Sequence, residues 1–285
     1  MFVIIGAVIV LGSVFGAYSV VGEMRVLFQP IEFIIILGSA VGAFIIGNTK
    51  TNIKQTLKGL GRALKGPTHK KADYVELLSV LYQVFKLAKT KGMLALEQHV
   101  EKPDESPLFN QFPKFLKDHH ALEFLCDYLR MMTLGTENSN EVETLMDAEL
   151  ETHHQELHGA SHAIQSMADG MPALGIVAAV LGVIVTMGSI TEPPKVLGEL
   201  IGAALVGTFF GVLLSYGFIA PLANIIKSVD EADAKYYQCM KAGLLAHMQG
   251  YPPAVSVEFA RKVLLSTERP NFYEVEQAVS ALPPV

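Results

Sequence analysis

Charged side chains are scarce in this chain and are missing altogether from four long runs. Only 18% of the 285 residues are Asp, Glu, Lys or Arg, whereas 51% are hydrophobic. The uncharged runs are residues 1–22, 33–49, 171–190 and 200–226. Because about 20 apolar residues are enough for a helix to cross a bilayer, this distribution excludes an ordinary soluble domain and predicts four membrane-spanning helices.

The first run lacks the features of a cleaved secretory signal. No basic residue precedes its apolar stretch, no convincing small-residue cleavage site follows, and the run is longer than the apolar region of a signal peptide. We therefore interpret residues 1–22 as a retained first span.

The motifs by which many soluble enzymes can be identified are also missing. The sequence has no glycine-rich phosphate loop, no nucleophile elbow and no paired-cysteine metal site. Its two cysteines, Cys126 and Cys239, lie outside the apolar runs without a partner at metal or redox spacing, which is typical of reduced cytoplasmic thiols. The sequence predicts neither an enzyme nor a bound cofactor.

A histidine cluster is the sharpest candidate for a metal site. The cluster comprises His153, His154, His158 and His162. Three of these are spaced by four residues, so they share one helix face, a geometry that can hold a metal ion. A solvated helix with incidental histidines also explains the pattern, and no third type of ligand converges on the cluster, so we predict no metal site.

Basic residues predict the orientation in the membrane. Seven Lys and Arg residues follow the second apolar run before the first acidic residue, Asp73, whereas the short connections hold only Arg25 and Lys195. Basic excess marks the cytoplasmic side. The predicted order is transmembrane helices at 1–22, 33–49, 170–190 and 200–226, short periplasmic loops at 23–32 and 191–199, and cytoplasmic regions at 50–169 and 227–285, with both termini in the cytoplasm.

The regions outside the spans are predicted to be helical. Residues 73–90 place Leu78, Leu81 and Phe85 on one apolar face. Residues 141–169 form a long acidic stretch without a clear breaker, which predicts that the third span continues as a helix beyond the membrane. No long alternating pattern indicates a strand. The predicted fold is all-α: four transmembrane helices with a helical cytoplasmic domain.

The two inner spans each carry a proline, and neither carries an ionisable group. Pro172 and Pro221 each remove a helical hydrogen bond, which frees the carbonyl groups of Ala168 and Gly217. Prolines are tolerated in membrane helices, so this pattern alone does not establish a function. If the chain conducts ions, an intramembrane carboxylate is needed, and the sequence predicts that a partner supplies it.

Several segments resemble the flagellar motor stator A subunits, the MotA family. MADGMPALGIVAAVLGVI (167–184) and ELIGAALVGTFFGVLLSYGFIAPLA (199–223) are similar to that family's third and fourth membrane helices. LFQPIEFIIILGSAVGAFIIGN (27–48) resembles its second helix, and LMDAELETHH and ERPNFYEVEQAV resemble its cytoplasmic parts. The resemblance covers nearly the whole chain.

The resemblance implies roles for particular residues. Pro172 and Pro221 match the prolines that link ion passage to movement of the cytoplasmic domain. Glu97 matches the acidic residue that faces the rotor, and Lys89 stands where the family usually has Arg, which keeps the charge but loses the planar fork. If the helix continued across Gly92, Lys89 and Glu97 would lie on roughly the same side, because eight residues make a little over two turns.

The resemblance also implies the nature of the ion pathway. Thr208 matches a hydroxyl group that lines the path. Ala179 stands where sodium-driven members have threonine on the third span, so the side chain offers no oxygen ligand and protons are favoured over sodium. Thr186, about two turns further along, can supply a hydroxyl at a different depth.

The expected partners follow from the same resemblance. A subunits of this family form a pentamer around a dimer of the MotB-like B subunit, whose membrane helix carries an aspartate, and they act on the rotor switch protein FliG in the inner membrane. The main alternative is an ExbB/TolQ-type energiser of outer-membrane processes, although such proteins typically have three spans. A membrane scaffold that conducts nothing is a third possibility.

Overall fold

The computed structural model describes residues 2–136 and 138–283. Within these ranges the regular structure is helical and no strand occurs. The chain divides into two compact units, which we call the first and second units. The first unit comprises the residues up to Gly66 together with Glu156–Val229, and the second comprises Pro67–Gln155 with the residues from Asp230 onward. The all-α prediction is confirmed.

The first unit contains the helices that are apolar enough to span a membrane. Its helices are α1 (Phe2–Val21), α2 (Met24–Leu27), α3 (Pro30–Gly47) and α4 (Lys50–Lys65), with the later part of α9 (Ser139–Met187), α10 (Pro194–Leu214), a π-helical turn (Ser215–Ile219) and the start of α11 (Ala220–Met248). Four segments, Phe2–Val21, Met24–Gly47 and parts of α9 and α10–α11, have the required length and composition. The chain is therefore a membrane protein with four candidate spans, as predicted.

The spans carry large aliphatic side chains on their surfaces. Ile4, Val8, Ile34 and Ile184 are among those that remain well exposed in the single chain. In water such surfaces would be unfavourable, because each buried apolar side chain gains about 1.5–3 kcal/mol over an exposed one. In hydrocarbon these apolar surfaces are favourable, and an α-helix pairs most of its backbone groups internally.

Helix α9 is continuous over 49 residues. It begins at Ser139 in the acidic stretch and reaches Met187 with Pro172 inside it. The prediction that the third span continues as a helix beyond the membrane is confirmed. The charged first part belongs to the second unit and the apolar part to the first.

The second unit is built around a core of aliphatic and aromatic side chains. Besides the first parts of α9 and the later part of α11, it contains α5 (Lys71–Lys91), α6 (Glu97–Glu101), α7 (Pro113–Lys117), α8 (His119–Thr133), α12 (Pro253–Lys262) and α13 (Phe272–Ser280). Leu78, Leu81 and Phe85 of α5 are fully buried in this core. The apolar face predicted for residues 73–90 is confirmed.

Candidate functional site

The third and fourth spans pack against each other through glycines. A β-carbon built at Gly211 would lie 2.8 Å from the carbonyl oxygen of Met171 and 2.9 Å from Cα of Gly175. One at Gly175 would lie 2.8 Å from the carbonyl oxygen of Gly207, and one at Gly182 2.7 Å from Cβ of Ala204. We call this contact the glycine seam. Small residues at such positions allow membrane helices to approach backbone to backbone.

The other glycine pairs at four-residue spacing do not serve the same purpose within this chain. No described atom lies within 4 Å of a β-carbon built at Gly12, Gly16, Gly38 or Gly42. Spacing alone therefore does not distinguish a packing glycine from one on an open helix face.

Ala179 and Thr208 lie beside the glycine seam. The backbone nitrogen of Ala179 is 3.3 Å from the β-carbon built at Gly207, and Cα of Thr208 is 3.3 Å from the one built at Gly175. Both residues are half-buried. Thr186, further along α9, is buried and its hydroxyl donates to the carbonyl oxygen of Gly182 at 2.9 Å. The two predicted pathway positions thus lie on facing helices, and Thr186 uses its proton within its own helix.

Glu32 brings a carboxyl group to the same seam. The residue lies in the first turn of α3 and is only 9% exposed. Its Oε2 would be 2.8 Å from a β-carbon at Gly207, and its Oε1 3.6 Å from one at Gly182. Oε2 has no hydrogen-bond partner among the described residues. A titratable group from this chain therefore reaches the third and fourth spans.

The sequence pattern does not single out Glu32, because this residue immediately precedes the second uncharged run, residues 33–49. A signal was present. Ile36 and Ala40 follow at intervals of four and are both buried, and residues four apart share a helix face. Glu32 therefore stands on the inward face of α3.

The carbonyl group freed by Pro172 has a specific partner. Pro172 has no N–H to donate to the carbonyl oxygen of Ala168, and the hydroxyl of Ser215 donates to that oxygen at 2.6 Å. Ala168 and Ser215 are both fully buried. A buried carbonyl without a hydrogen-bond partner is costly, so this hydrogen bond stabilises the proline-interrupted helix.

The helix around Pro221 is also irregular. Ser215–Ile219 forms a π-helical turn directly before α11, and the backbone N–H of Ala220 bonds to the carbonyl of Ser215. π-Helical turns within α-helices often occur at functional sites. Ser215 takes part in both irregularities, because its hydroxyl satisfies the Pro172 break and its carbonyl closes the turn ahead of Pro221.

Lys89 and Glu97 lie in different helices of the second unit. Helix α5 ends at Lys91, and Gly92 adopts a φ of +85°, a conformation that glycine enters at little cost. A 3₁₀ turn (Met93–Leu96) follows, and Glu97 begins α6. The condition that one helix continues across Gly92 is not met, because the chain turns there. Lys89 and Glu97 are both exposed.

A neighbouring histidine adds no charge to this surface at neutral pH. His99 is buried, and its Nδ1 is 2.8 Å from the hydroxyl oxygen of Ser106. Burial lowers the pKa of His99 below its usual value, and the positive charge of Lys91 adds to the effect. The exposed charges here are therefore those of lysine and carboxylate side chains.

The histidine cluster and the cysteines show no site chemistry. The His153 ring lies 5.0 Å from the ring of Tyr237, and the described residues contain no group of three or more His, Cys, Asp or Glu arranged to hold a metal ion. Cys126 and Cys239 are free and buried, and burial raises the pKa of Cys126 to about 12. These thiols are packing groups, because the reactive form of cysteine is the thiolate.

These features define a class: an all-α membrane protein whose two inner spans meet at a glycine seam beside a buried carboxyl group. Residues 4–92 match the motility protein A N-terminal family, and residues 117–238 match the MotA/TolQ/ExbB proton channel family. The chain belongs to the motility protein A family.

Full-length relatives and solved structures agree with this assignment. Motility protein A of Escherichia coli (strain K12) is 43% identical over 283 residues, which cover 99% of this chain and 96% of the relative. Chemotaxis protein LafT of Vibrio parahaemolyticus is 33% identical over 96% of both chains. The structure of C. jejuni MotAB superposes with a TM-score of 0.74 at 20% identity, covering 93% of this chain and 95% of the other, so it supports the fold.

Proposed function

We propose that this chain is the A subunit of a flagellar motor stator, which forms an ion channel with a MotB-like B subunit and converts proton flow into torque. The observation that carries the proposal is the 43% identity to a motility protein A over nearly the entire chain. The N-terminal match includes the first two candidate spans. This favours a stator over an ExbB/TolQ-type energiser.

The proposed ion pathway runs beside the glycine seam. We assign Thr208 and Ala179 to its lining and the membrane aspartate of the B subunit to the main ion-binding role. The carboxyl group of Glu32, buried against the same spans, adds a second acidic group from this chain. A carboxyl group buried among apolar helices is costly, and such groups typically mark ion pathways.

The assembly follows the family. We propose a pentamer of this chain around a dimer of the B subunit in the bacterial inner membrane. The basic residues after the second span support an orientation with both termini in the cytoplasm. In that orientation the second unit faces the rotor.

We expect the coupling ion to be H⁺. Sodium needs several oxygen ligands after it loses water, and Ala179 offers none from its side chain. The chain, expressed with its B subunit in a strain without stator A subunits, should restore swimming at a speed that persists when external sodium is replaced by potassium at constant proton-motive force. Speed that collapses without sodium, or under phenamil, would contradict proton coupling. A failure to restore swimming with any MotB-like partner would contradict the stator function itself.

We propose that Lys89 and Glu97 contact the rotor switch protein FliG through charge. Both are exposed on the second unit, where single ion pairs contribute about 0–1 kcal/mol. Single neutralisations, K89Q or E97Q, should therefore slow swimming only mildly, whereas the double reversal K89E/E97K should abolish it. Swimming on soft agar and tethered-cell rotation measure the effect.

A matched control is the double reversal K102E/E105K, which inverts an exposed pair on the same unit. This variant should swim normally. Normal motility of K89E/E97K, or equal loss in the control, would refute the rotor contact.

A further inference from the structure

Helix α4 directly follows the second span and has three distinct faces. Only Asn48 and Thr49 separate it from the end of α3 at Gly47. The Thr49 hydroxyl accepts a hydrogen bond from the N–H of Asn52, so α4 begins as a new capped helix where the span ends. The start of α4 is thus fixed two residues after the end of the span.

The first face of α4 is packed into the first unit. Thr56, Gly59 and Ala63 are buried, and a β-carbon built at Gly59 would lie 3.4 Å from the Ile226 side chain and 3.7 Å from that of Ala160. The helix is therefore held against α9 and α11, and the orientation of its other faces is fixed.

The second face carries leucines that nothing in this chain covers among the described residues. Leu57 is 67% exposed and Leu64 is 57% exposed. They are seven residues apart, so they lie within about 20° of each other around the helix axis. Two well-exposed aliphatic side chains beside a row of exposed lysines favour an apolar environment at this edge of α4.

The third face of α4 carries a row of lysines. The helix contains no acidic residue that could neutralise them. Lys50, Lys54, Lys58 and Lys65 are all exposed and fall within about 80° of arc, next to the leucines and away from the buried face. We call these four residues the α4 basic stripe. Unlike Lys71 or Lys114 of the second unit, which pair with Glu274 and Asp73, they have no carboxylate within their own helix.

We propose that α4 lies in the interface of the leaflet where the second span ends, and that its basic stripe binds the phosphate headgroups of anionic phospholipids. Leucines beside lysines on a helix parallel to the membrane place aliphatic groups at the acyl boundary and cations at headgroup depth. A soluble acidic protein would match the cations but not the exposed leucines. Continuity with the span favours lipid as the occupant.

The test measures headgroup selectivity of the full-length chain in phosphatidylcholine vesicles. Spin-labelled phosphatidylglycerol and spin-labelled phosphatidylcholine report, in separate samples, the fraction of lipid immobilised by the protein. The wild type should prefer phosphatidylglycerol. Each lysine near an anionic surface strengthens binding about fivefold, so the loss of four lysines in K50Q/K54Q/K58Q/K65Q should lower this preference by well over tenfold. L57Q/L64Q should lower it as well, because the stripe would no longer be held at headgroup depth.

The matched control removes four exposed lysines from the second unit: K91Q/K102Q/K117Q/K262Q. It changes the net charge equally and should keep the preference for phosphatidylglycerol. A preference that survives loss of the basic stripe overturns the proposal and points to a protein occupant, such as a second copy. Equal loss in the control also overturns it, because general charge would then explain the selectivity. The lipid measurement does not require motility. Its failure would therefore leave the proposed stator function untouched, and a failure of the swimming assay would leave the lipid proposal untouched.

Discussion

Replacing Pro172 with Ala should stop rotation while leaving membrane insertion and association with the B subunit intact. In the wild type the Ser215 hydroxyl donates to the carbonyl oxygen of Ala168 at 2.6 Å. Alanine at position 172 restores a backbone N–H that competes for the same oxygen. The helix then gains a regular hydrogen bond and loses the irregular point at which it can bend. Replacing Pro221 with Ala should have the same effect, because regular pairing would extend into the π-helical turn before it.

Tethered-cell rotation and co-purification of the B subunit measure the two parts of this prediction. Pro194→Ala is the matched control, because Pro194 is the first residue of α10, where a missing N–H breaks no helical hydrogen bond. The control should rotate normally. If the Pro172 and Pro221 variants fail to bind the B subunit, the prolines are structural and the coupling role is wrong. If they rotate at wild-type speed, the prolines are dispensable.

The elements set by local sequence could be predicted well. Uncharged runs identify spans because membrane insertion depends on local composition. The continuation of α9 follows from an unbroken stretch between residue 139 and Pro172, and the apolar face of α5 follows from helical periodicity. The turn at Gly92 had a local signal too, since glycine adopts positive φ at little cost.

Contacts between distant segments could not be predicted from the sequence. The hydrogen bond from Ser215 to Ala168 joins residues 47 apart, and no spacing rule identifies which hydroxyl satisfies a freed carbonyl. Glu32 reaches Gly182 and Gly207 only because the spans fold together. The same reason explains why Gly211 is a packing residue and Gly38 is not, although both belong to pairs with identical spacing.

That difference gives the last prediction, which concerns the glycine seam. Gly211→Ala should destabilise the first unit, because the added methyl would lie 2.8 Å from the Met171 carbonyl oxygen and 2.9 Å from Cα of Gly175. Both atoms belong to the backbone, so the helices must separate. Overpacking of this kind costs about 1–3 kcal/mol, which exceeds the gain of up to about 1 kcal/mol in helix propensity from Gly to Ala.

The control is Gly38→Ala, where the methyl meets no described atom within 4 Å. Thermal unfolding in detergent, followed by circular dichroism, should show a midpoint lowered by several degrees for Gly211→Ala and unchanged or slightly raised for Gly38→Ala. Gly175→Ala should behave like Gly211→Ala, because its methyl would approach the carbonyl oxygen of Gly207. Swimming should be lost in both seam variants, since a wider seam displaces Ala179 and Thr208 from each other. Equal midpoints for Gly211→Ala and Gly38→Ala would show that the helices can separate at no cost, and the close approach at the seam would then have no role in stability.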